Sequence, residues 1–597
     1  MGYNNTTLPR ELYMQRISAR KAEAAACQRQ HVLLGYIRLA LVITGIVVAW
    51  FSFHSHVISR WWLLAVFAVF VVVARRHSAV LQRRAEAQRA IAFFERGIAR
   101  IEDRWVDLPM RAVEVNATGS LYAEDLDLFR RGGLFDLLRT ARTSTGEDVL
   151  ASWLSAPAER EAILARQAAI AELREMTQLT EELASCGKAD FEPLDIPALA
   201  QWATGPAPRI SEWLRWIAPL LVALTIAAFV RYLATDQGWL LVIIVIIDAT
   251  ITFSLGKQTK TLFAGAEHAS GSLKLASVLI ERWERQSASS PLLCGLLDKL
   301  HAKSGSASHA LSRLALLSQM MEQHGNLMVR LYDVPLLYSV QLAGAAQSWR
   351  RRYGASLQQW LEAISELEAL QSLATYSFEH PGDPFPVLAD GEPCFEAQNL
   401  GHPLMAEKKC VRNDVALGGE VRLLLVSGSN MSGKSTLLRA VGINTVLAMA
   451  GAPVRAANLR MTPMRVGASI QVNDSLQEGR SRFYSEILRL RAICALAEAQ
   501  PPVLFLLDEL LDGTNSSDRL TGAAGIAHAL LEADAIGLIS THDLALTAIG
   551  DGAHTLRNVH FEERIENGEM RFDFRLRDGV VTTRNGVALM RMVGLKV

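Results

Sequence analysis

The stretch Leu423-Leu424-Leu425-Val426-Ser427-Gly428-Ser429-Asn430-Met431-Ser432-Gly433-Lys434-Ser435-Thr436 decides the reading of this chain. Leu423 to Val426 is an apolar run that reads as a buried strand, and Leu437 to Met449 reads as a helix. A glycine loop of the form G-x-x-x-x-G-K-S/T between a strand and a helix is a phosphate-binding P-loop. Its glycines let backbone N–H groups converge on an anion, and the helix N-terminus adds the positive end of its dipole. On this reading Gly428, Ser429, Asn430, Met431, Ser432, Gly433 and Thr436 line the nucleotide. Lys434 reaches its β- and γ-phosphates, and the Ser435 hydroxyl holds Mg²⁺. A chance glycine-rich turn would not bring the flanking strand and helix with it.

The partners such a loop needs lie downstream. Val503 to Leu507 is apolar and ends in Asp508-Glu509. A buried strand that delivers two carboxylates opposite a P-loop is a Walker B arrangement. Asp508 then binds Mg²⁺, and Glu509 orients and deprotonates the attacking water. A polar turn follows at Gly513-Thr514-Asn515-Ser516-Ser517-Asp518-Arg519. Gly537-Leu538-Ile539-Ser540-Thr541-His542-Asp543 repeats the pattern of strand and polar tip, which sets His542 where a γ-phosphate sensor would sit. Between the two motifs lie Asp474-Ser475-Leu476 and Gly479-Arg480-Ser481-Arg482-Phe483, then a helix carrying Glu486. The Gly, Ser and Arg residues there, Ser481 among them, have the composition to complete a nucleotide site on another subunit, and equally that of an ordinary polar loop.

At 597 residues the chain is long enough for several domains, and half of its residues are hydrophobic. Lys+Arg and Asp+Glu number 61 each, so net charge gives no pull towards nucleic acid and leaves only a local basic face. The best stretch for such a face is Arg350-Arg351-Arg352 after Trp349, for which a solvated helix surface is the plainer account. Cys27, Cys186, Cys294, Cys394, Cys410 and Cys494 are scattered and form no C-x-x-C pair. That pattern argues against a zinc site or a disulfide scaffold and suits reduced thiols in a cytosolic setting.

Four apolar runs approach membrane length. Tyr36 to Phe53 carries only Arg38 as a charge, and Trp61 to Ala74 carries none. Trp216 to Val230 and Trp239 to Leu255 form a second pair, joined by Arg231 to Gly238. With flanking residues each reaches the ~20 needed to cross a bilayer. Trp61, Trp62, Trp213, Trp216 and Trp239 sit at run ends, as an aromatic belt places them. Arg16, Arg20, Lys21, Arg29, Arg75, Arg76, Arg83 and Arg84 flank the first pair, and Arg209, Arg215, Lys257 and Lys260 the second. Two hairpins with both termini and the large domains in the cytoplasm satisfy the positive-inside rule. The competing account is buried core helices of a soluble protein. Asp248, inside the fourth run, is either a functional carboxylate or a group paired with a neighbouring helix or protonated, and the latter is preferred.

Ala79 to Trp105 reads as a helix leaving the membrane, Leu126 to Leu154 as mostly helical with a break near Gly132-Gly133, and Glu159 to Met176 as a helix. Residues 261–376 read as long helices broken at Ser304-Gly305-Ser306 and Pro335. Pro381, Pro384 and Pro386 mark a linker, and 390–597 alternates β-rich runs with helices, the signature of a layered α/β domain.

Taken in order, these motifs resemble the MutS family of ABC-type ATPases. His402-Pro403-Leu404 and Asn413-Asp414-Val415 resemble the opening of its ATPase domain. The P-loop with Asn430-Met431 matches the family's G-x-N-M-x-G-K-S-T form. Gly467-Ala468-Ser469, Gly479-Arg480-Ser481, Asp508-Glu509, Gly513-Thr514-Asn515-Ser516, Ser540-Thr541-His542 and Asn558-Val559-His560-Phe561 follow in place. Upstream, Leu128-Phe129, Gly133-Leu134-Phe135-Asp136-Leu137-Leu138, Thr143, Gly146 and Arg166-Gln167 resemble the family's helical core and lever. There are departures. No mismatch-reading segment is apparent, the second hairpin interrupts the helical region where the family's DNA clamp would project, Arg482 stands where Thr is usual, and Asp512 where Arg is usual.

The resemblance implies a C-terminal α/β P-loop ATPase domain and an all-α core and lever domain, and the apolar runs add two transmembrane helical hairpins, so a multidomain chain is expected. The expected segments are 1–110 with a hairpin at about 36–53 and 57–74, 111–205 as helical core, 206–260 with a hairpin at about 214–230 and 239–255, 261–385 as lever, and 386–597 as ATPase. It further implies a homodimer with two composite sites for ATP and Mg²⁺. Each would take Lys434, Ser435, Asp508, Glu509 and His542 from one subunit and Ser481 from the other, with His402 near the nucleotide. ATP would close the dimer as a clamp, on DNA in the leading expectation. In the alternative, a transport, remodelling or signalling machine at the membrane acts on an unknown protein partner. The expected location is a bacterial-type inner membrane, spanned several times, in contact with the lipid bilayer and with the ATPase domain in the cytoplasm.

Overall fold

Strand β4, Leu423–Ser427, is buried along its whole length. An apolar run without alternation belongs at the centre of a parallel sheet covered on both faces. It lies there between β8, Ile536–Thr541, and β9, Leu556–Glu566, parallel to both. The sheet continues through β7, Val503–Asp508, to β6, Arg465–Ser469, on one side and through β10, Glu569–Asp578, on the other, in the order β10-β9-β4-β8-β7-β6. Only β10 runs antiparallel to its neighbour. A second, four-stranded sheet is ordered β1-β5-β2-β3, from Val387–Leu388, Asn458–Met461, Phe395–Leu400 and Asn413–Leu417. This computed structural model describes the chain except residues 1–6, 55–58, 60, 109–119, 188–193, 207–212, 302–304, 325, 430–431, 471–481, 513, 548–554, 567–568 and 582–597.

The chain forms two compact units. The first comprises Met1–Arg139, Leu150–Glu175 and Leu370–Val597, and the second Thr140–Val149 and Met176–Ala369. In the first, the stretch 121–133 is a succession of turns, including the part from Leu126 on that the pattern predicts as helical, because Asp127 (φ 52°) and Gly132 (φ 77°) turn left-handed. These turns dock on the six-stranded sheet. Ala468 N–H donates to Leu121 O (3.0 Å), Ile470 N–H to Asp125 Oδ1 (2.8 Å) and Arg439 Nε to Asp125 O (3.1 Å), while Arg489 pairs with Asp125.

Among the described residues, four helices are long and apolar enough to cross a membrane, by length and composition: Leu8–Phe53, Trp61–Ile101, Trp216–Thr235 and Trp239–Phe263. Their apolar side chains are largely uncovered, Phe253 at 77% for example, which a buried core helix would not allow. The helix from Trp61 runs on without interruption through the segment read as a separate exit helix. Arg38, the lone charge of its run, turns back onto His77 (2.9 Å) and over the Phe70 ring. At the foot of the hairpin, in the same unit, Arg100 forks onto Glu379 with two bonds of 2.6 Å, and Tyr13 OH donates to the same carboxylate (3.2 Å). All three groups are buried.

In the second unit the described helices include Thr177–Ser185, Ile196–Thr204, Leu214–Thr235, Trp239–Phe263, Ser270–Trp283, Pro291–Leu300, Ala307–Gln323, Leu327–Leu336 and the part of Tyr338–Glu379 up to Ala369. Pro335 sits inside one of them, and the break falls at Leu337, whose φ is 46°. Asp248 is fully buried between the hairpin helices and accepts a hydrogen bond from Thr225 Oγ1 at 2.8 Å, so it pairs with its neighbouring helix. Arg350 is not on an open basic face. It is buried over the Trp202 ring and donates to Ala203 O (3.4 Å) and Gly205 O (2.8 Å).

Buried Glu368 in this unit accepts from the Arg142 N–H (2.6 Å) and from the Thr143 hydroxyl. Burial outweighs these bonds and pushes its carboxyl up from 4.5 to about 7. A raised pKa means the stabilisation is complete below the unfolded value and is lost as pH rises through about 7. The detergent-solubilised chain should therefore melt at lower temperature at about pH 8 than at about pH 5, and Glu368→Gln should flatten that slope. An unchanged slope in the variant would assign the pH dependence elsewhere.

Candidate functional site

The C-terminal ends of β4, β7 and β8 meet at one edge of the six-stranded sheet, where open α/β sheets bind ligands. From β4 the chain passes through the glycine loop into the helix Lys434–Ala450. Gly433 caps that helix with φ 105°, and a Cβ there would lie 3.2 Å from the Phe574 ring. The left-handed backbone is what requires glycine here, and the ring would have to give only slightly to admit a Cβ. Asn430 and Met431 lie outside the described residues, as does Ser481.

Lys434 is only 4% exposed. Its ammonium donates to Gly428 O (2.8 Å) and Ser429 O (3.0 Å) and lies 3.6 Å from Glu509 Oε1. Burial lowers its pKa, and the Glu509 and Asp508 carboxylates oppose that shift. Ser435 is half-buried and Thr436 exposed at the start of the helix. Ser432 Oγ is buried without a hydrogen-bond partner. A loop with an orphaned hydroxyl, a buried cation and a backbone cradle fits the phosphates of a nucleotide.

Asp508 ends β7, and Ser540 of β8 donates its hydroxyl to Asp508 Oδ1. Glu509 follows with φ 49° and Leu511 with φ 56°, both left-handed although neither is glycine. Such backbone costs of order 1–3 kcal/mol per residue and persists only where the surroundings enforce it. Here Glu509 N–H donates to Ser540 O (3.2 Å), and Leu511 N–H donates to the buried Glu486 carboxylate (2.8 Å). The turn aims Glu509 back at the P-loop lysine and at His542, whose Nδ1 is 3.4 Å from Glu509 Oε1. His542 is 42% exposed on its side chain, open to a ligand. The structure thus brings Lys434, Asp508, Glu509 and His542 to one sheet edge.

His402 is a different case. It is buried, its Nδ1 accepts the Leu404 N–H (3.2 Å), and burial with the Arg439 and Arg455 charges pulls its pKa down to about 4. Its described hydrogen bonds stay within its own turn and to Cys410, so it reads as a neutral structural histidine. Asp512, the departure from the family pattern, pairs with Arg519 (3.1 Å), which also holds Asp543 (2.7 Å).

Sequence reading missed three contributions: that of Glu563, and the contacts made by two residues quoted only as parts of motifs, Ser540 and Asn413. Glu563 of β9 accepts from the Ser429 hydroxyl of the P-loop. Ser540 anchors both acidic residues. Asn413 of β3 fills the irregularity in β10, donating to Phe574 O (3.0 Å) and accepting from Leu576 N–H (2.8 Å), and so sets Phe574 against Gly433. None has a local signal, because each acts across more than a hundred residues or between strands.

Among the described residues no three His, Cys, Asp or Glu side chains converge into a protein-only metal cage. A serine hydroxyl and an aspartate at a phosphate site are the partial oxygen set that takes Mg²⁺ together with water and phosphate oxygens.

Fold and site define a P-loop nucleotide site in a mainly parallel sheet. Residues 424–596 match the family described as MutS domain V. The chain is 34% identical over 253 residues to a DNA mismatch repair protein MutS of Shouchella clausii, covering 41% of this chain and 28% of that protein. It is 32% identical over 244 residues to a DNA mismatch repair protein MutS 2 of Halobacterium salinarum, 40% of this chain and 28% of the relative. It is also 35% identical over 218 residues to an Endonuclease MutS2 of Thermus thermophilus, 36% and 26% respectively. These matches show likeness to the MutS family in the C-terminal part of the chain, which spans just over a quarter of the relatives' length.

Gly433→Ala should lower the thermal midpoint by the equivalent of about 1–3 kcal/mol, because alanine resists this backbone. Adding Phe574→Ala should restore little. Full restoration by the second change would show that the ring contact, and not the backbone, makes the glycine necessary.

Proposed function

We propose that the protein is a membrane-anchored MutS-type ATPase that binds and hydrolyses ATP in a composite dimeric site to drive a clamp-like change of shape. The observation that carries the reading is the convergence of Lys434, Asp508, Glu509 and His542 at the end of the central strands. Lys434 and the loop N–H groups of residues 428–436 hold the phosphates. Ser435 and Asp508 hold Mg²⁺, which when bound neutralises phosphate charge. Glu509 orients a water and accepts its proton, and the left-handed backbone keeps that carboxylate aimed inward. His542, half open beside Glu509, senses the terminal phosphate. Ser481 of a second copy completes the site. The uncovered apolar faces of the four long helices support insertion in a bilayer as two hairpins, with the ATPase domain on the cytoplasmic side.

The clamp acts on DNA in the first reading, which rests on the MutS likeness. A second reading, in which ATP drives a membrane partner without DNA, is favoured by Arg350: the arginine run nominated as a basic face loses that member to the interior.

Glu509→Gln should lower ATP hydrolysis by roughly 10²–10⁴-fold while leaving ATP binding intact, and Lys434→Ala should weaken binding itself. Hydrolysis by Glu509→Gln near the wild-type rate would remove Glu509 from its role. A salt series of DNA binding by the trapped variant separates the two readings. Steep, ATP-dependent loss of binding with salt supports the DNA clamp, and no binding in any state supports the membrane partner.

A further inference from the structure

Between Ile244 and Leu262 the buried residues of the helix Trp239–Phe263 are Asp248, Thr252 and Thr259, all polar, while Ile246, Ile247 and Phe253 are exposed. Spacings of four and seven residues put the three on one face, one turn and then two turns apart. Thr225 of the helix Leu214–Thr235 meets this stripe at Asp248. The second hairpin thus keeps polar groups inside and hydrocarbon outside.

The hydrogens around Thr225 do not add up if Asp248 is ionised. Thr225 Oγ1 makes two contacts, 3.0 Å to Leu221 O and 2.8 Å to Asp248 Oδ2. Beside a carboxylate both partners are acceptors, and a hydroxyl has one hydrogen to give. A protonated Asp248 removes the conflict. Its Oδ2–H donates to Thr225 Oγ1, and the Thr225 hydrogen goes to Leu221 O. Asp248 is fully buried, and its other oxygen, Oδ1, has no hydrogen-bond partner among the described residues. An unmet carbonyl oxygen of a neutral acid is cheaper to bury than an unmet carboxylate oxygen. Lys257 and Lys260 of the same helix and Arg231 of the facing helix are exposed. The helix Leu327–Leu336 also packs on this hairpin. Its Asp333 is held by His324 (3.2 Å) and the Ser339 N–H (2.8 Å), its Tyr332 meets the Tyr338 ring edge-on, and the Arg330 side chain lies outside the described residues.

We propose that Asp248 is a proton-binding site inside the second hairpin, its proton held by Thr225 and exchanged with water by way of Thr252 and Thr259. Thr252 Oγ1 is buried without a hydrogen-bond partner among the described residues, as Asp248 Oδ1 is, and stands one turn further along the same face. Side chains at that spacing leave a gap of roughly 5–6 Å, which one water spans with a hydrogen bond to each. Thr259 carries the stripe on towards Lys260, in the last turn of the helix. A buried carboxyl with hydroxyls leading away from it has the parts of a proton relay in an apolar helix pair.

The test reads the protonation state itself. The full chain is purified in mild detergent, and the infrared spectrum of Asp248→Asn is subtracted from that of the wild type. Asparagine keeps the shape and offers Thr225 an N–H in place of the acid's O–H, so the variant should fold and hydrolyse ATP at the wild-type rate. At about pH 7, where an ordinary aspartate is ionised, the difference should show the carbonyl stretch of a protonated carboxylic acid. A carboxylate band in its place, the result an ion pair with Arg330 would give, overturns the proposal. In deuterated water the acid band should shift, and Thr252→Val should slow that shift by roughly tenfold. An unchanged rate overturns the route through Thr252. Exchanging potassium for sodium in the buffer should leave the acid band in place, and its conversion to a carboxylate band makes this a sodium site and overturns the proton. A second measurement needs no variant. Dicyclohexylcarbodiimide adds to a protonated carboxyl in apolar surroundings and leaves an N-acylurea. An adduct on the peptide carrying Asp248 is expected at about pH 7, and one that forms only near about pH 4 overturns the proposal. Both measurements are made in detergent, so they stand or fall independently of whether the helices span a bilayer.

Discussion

A buried ammonium organises the sheet edge. Lys434 has almost no contact with solvent, and a cation taken out of water must find opposite charge or dipoles at once. It finds the carbonyls of its own loop and the Glu509 carboxylate. That requirement reaches outward. The loop can curl over the lysine only if Gly433 turns left-handed, and Glu509 can face it only if its own backbone does the same. The Glu509 turn is in turn fixed by Ser540 on β8 and, through Leu511, by Glu486. Removing any one support leaves either strained backbone or an uncompensated charge.

What could be read directly from the sequence was what is contiguous in it. The P-loop, the acidic pair after Val503–Leu507 and the histidine after the next strand are each a strand followed by a tip, so chain order alone aligns them at one edge of a parallel sheet. The four long helices were legible for the same reason, because an apolar run of that length needs no partner to be recognised. What was not legible depends on pairings across the chain. Glu563 reaches Ser429, Asn413 reaches the backbone of β10, and Asp125 reaches Ile470 and Arg489. Arg350 shows the limit of reading charge as surface: nothing in three consecutive arginines tells which one turns inward onto Trp202 and two carbonyls. His402 shows the converse, since a histidine inside a matching motif proves to be held neutral in its own turn.

Two polar groups of the apolar runs are met inside their own hairpins: Arg38 returns to His77, and one oxygen of Asp248 is met by Thr225 from the facing helix. In a bilayer an unanswered group would cost several kcal/mol on the reading that these helices span it.

The first hairpin is joined to the nucleotide-binding unit by more than chain connection. Glu379 ends the long helix Tyr338–Glu379, just before the chain enters β1 and the P-loop sheet. It is gripped there by Arg100 from the hairpin's second helix and Tyr13 from its first, all three away from water. Removing one partner of a buried pair leaves the other charge uncompensated, at roughly 3–5 kcal/mol. Gly97 packs into the same joint, where a Cβ would come within 2.4 Å of the Tyr13 ring, so the two helices also close sterically on the carboxylate. The hairpin and the end of the long helix are therefore locked together at this joint, by charge and by shape.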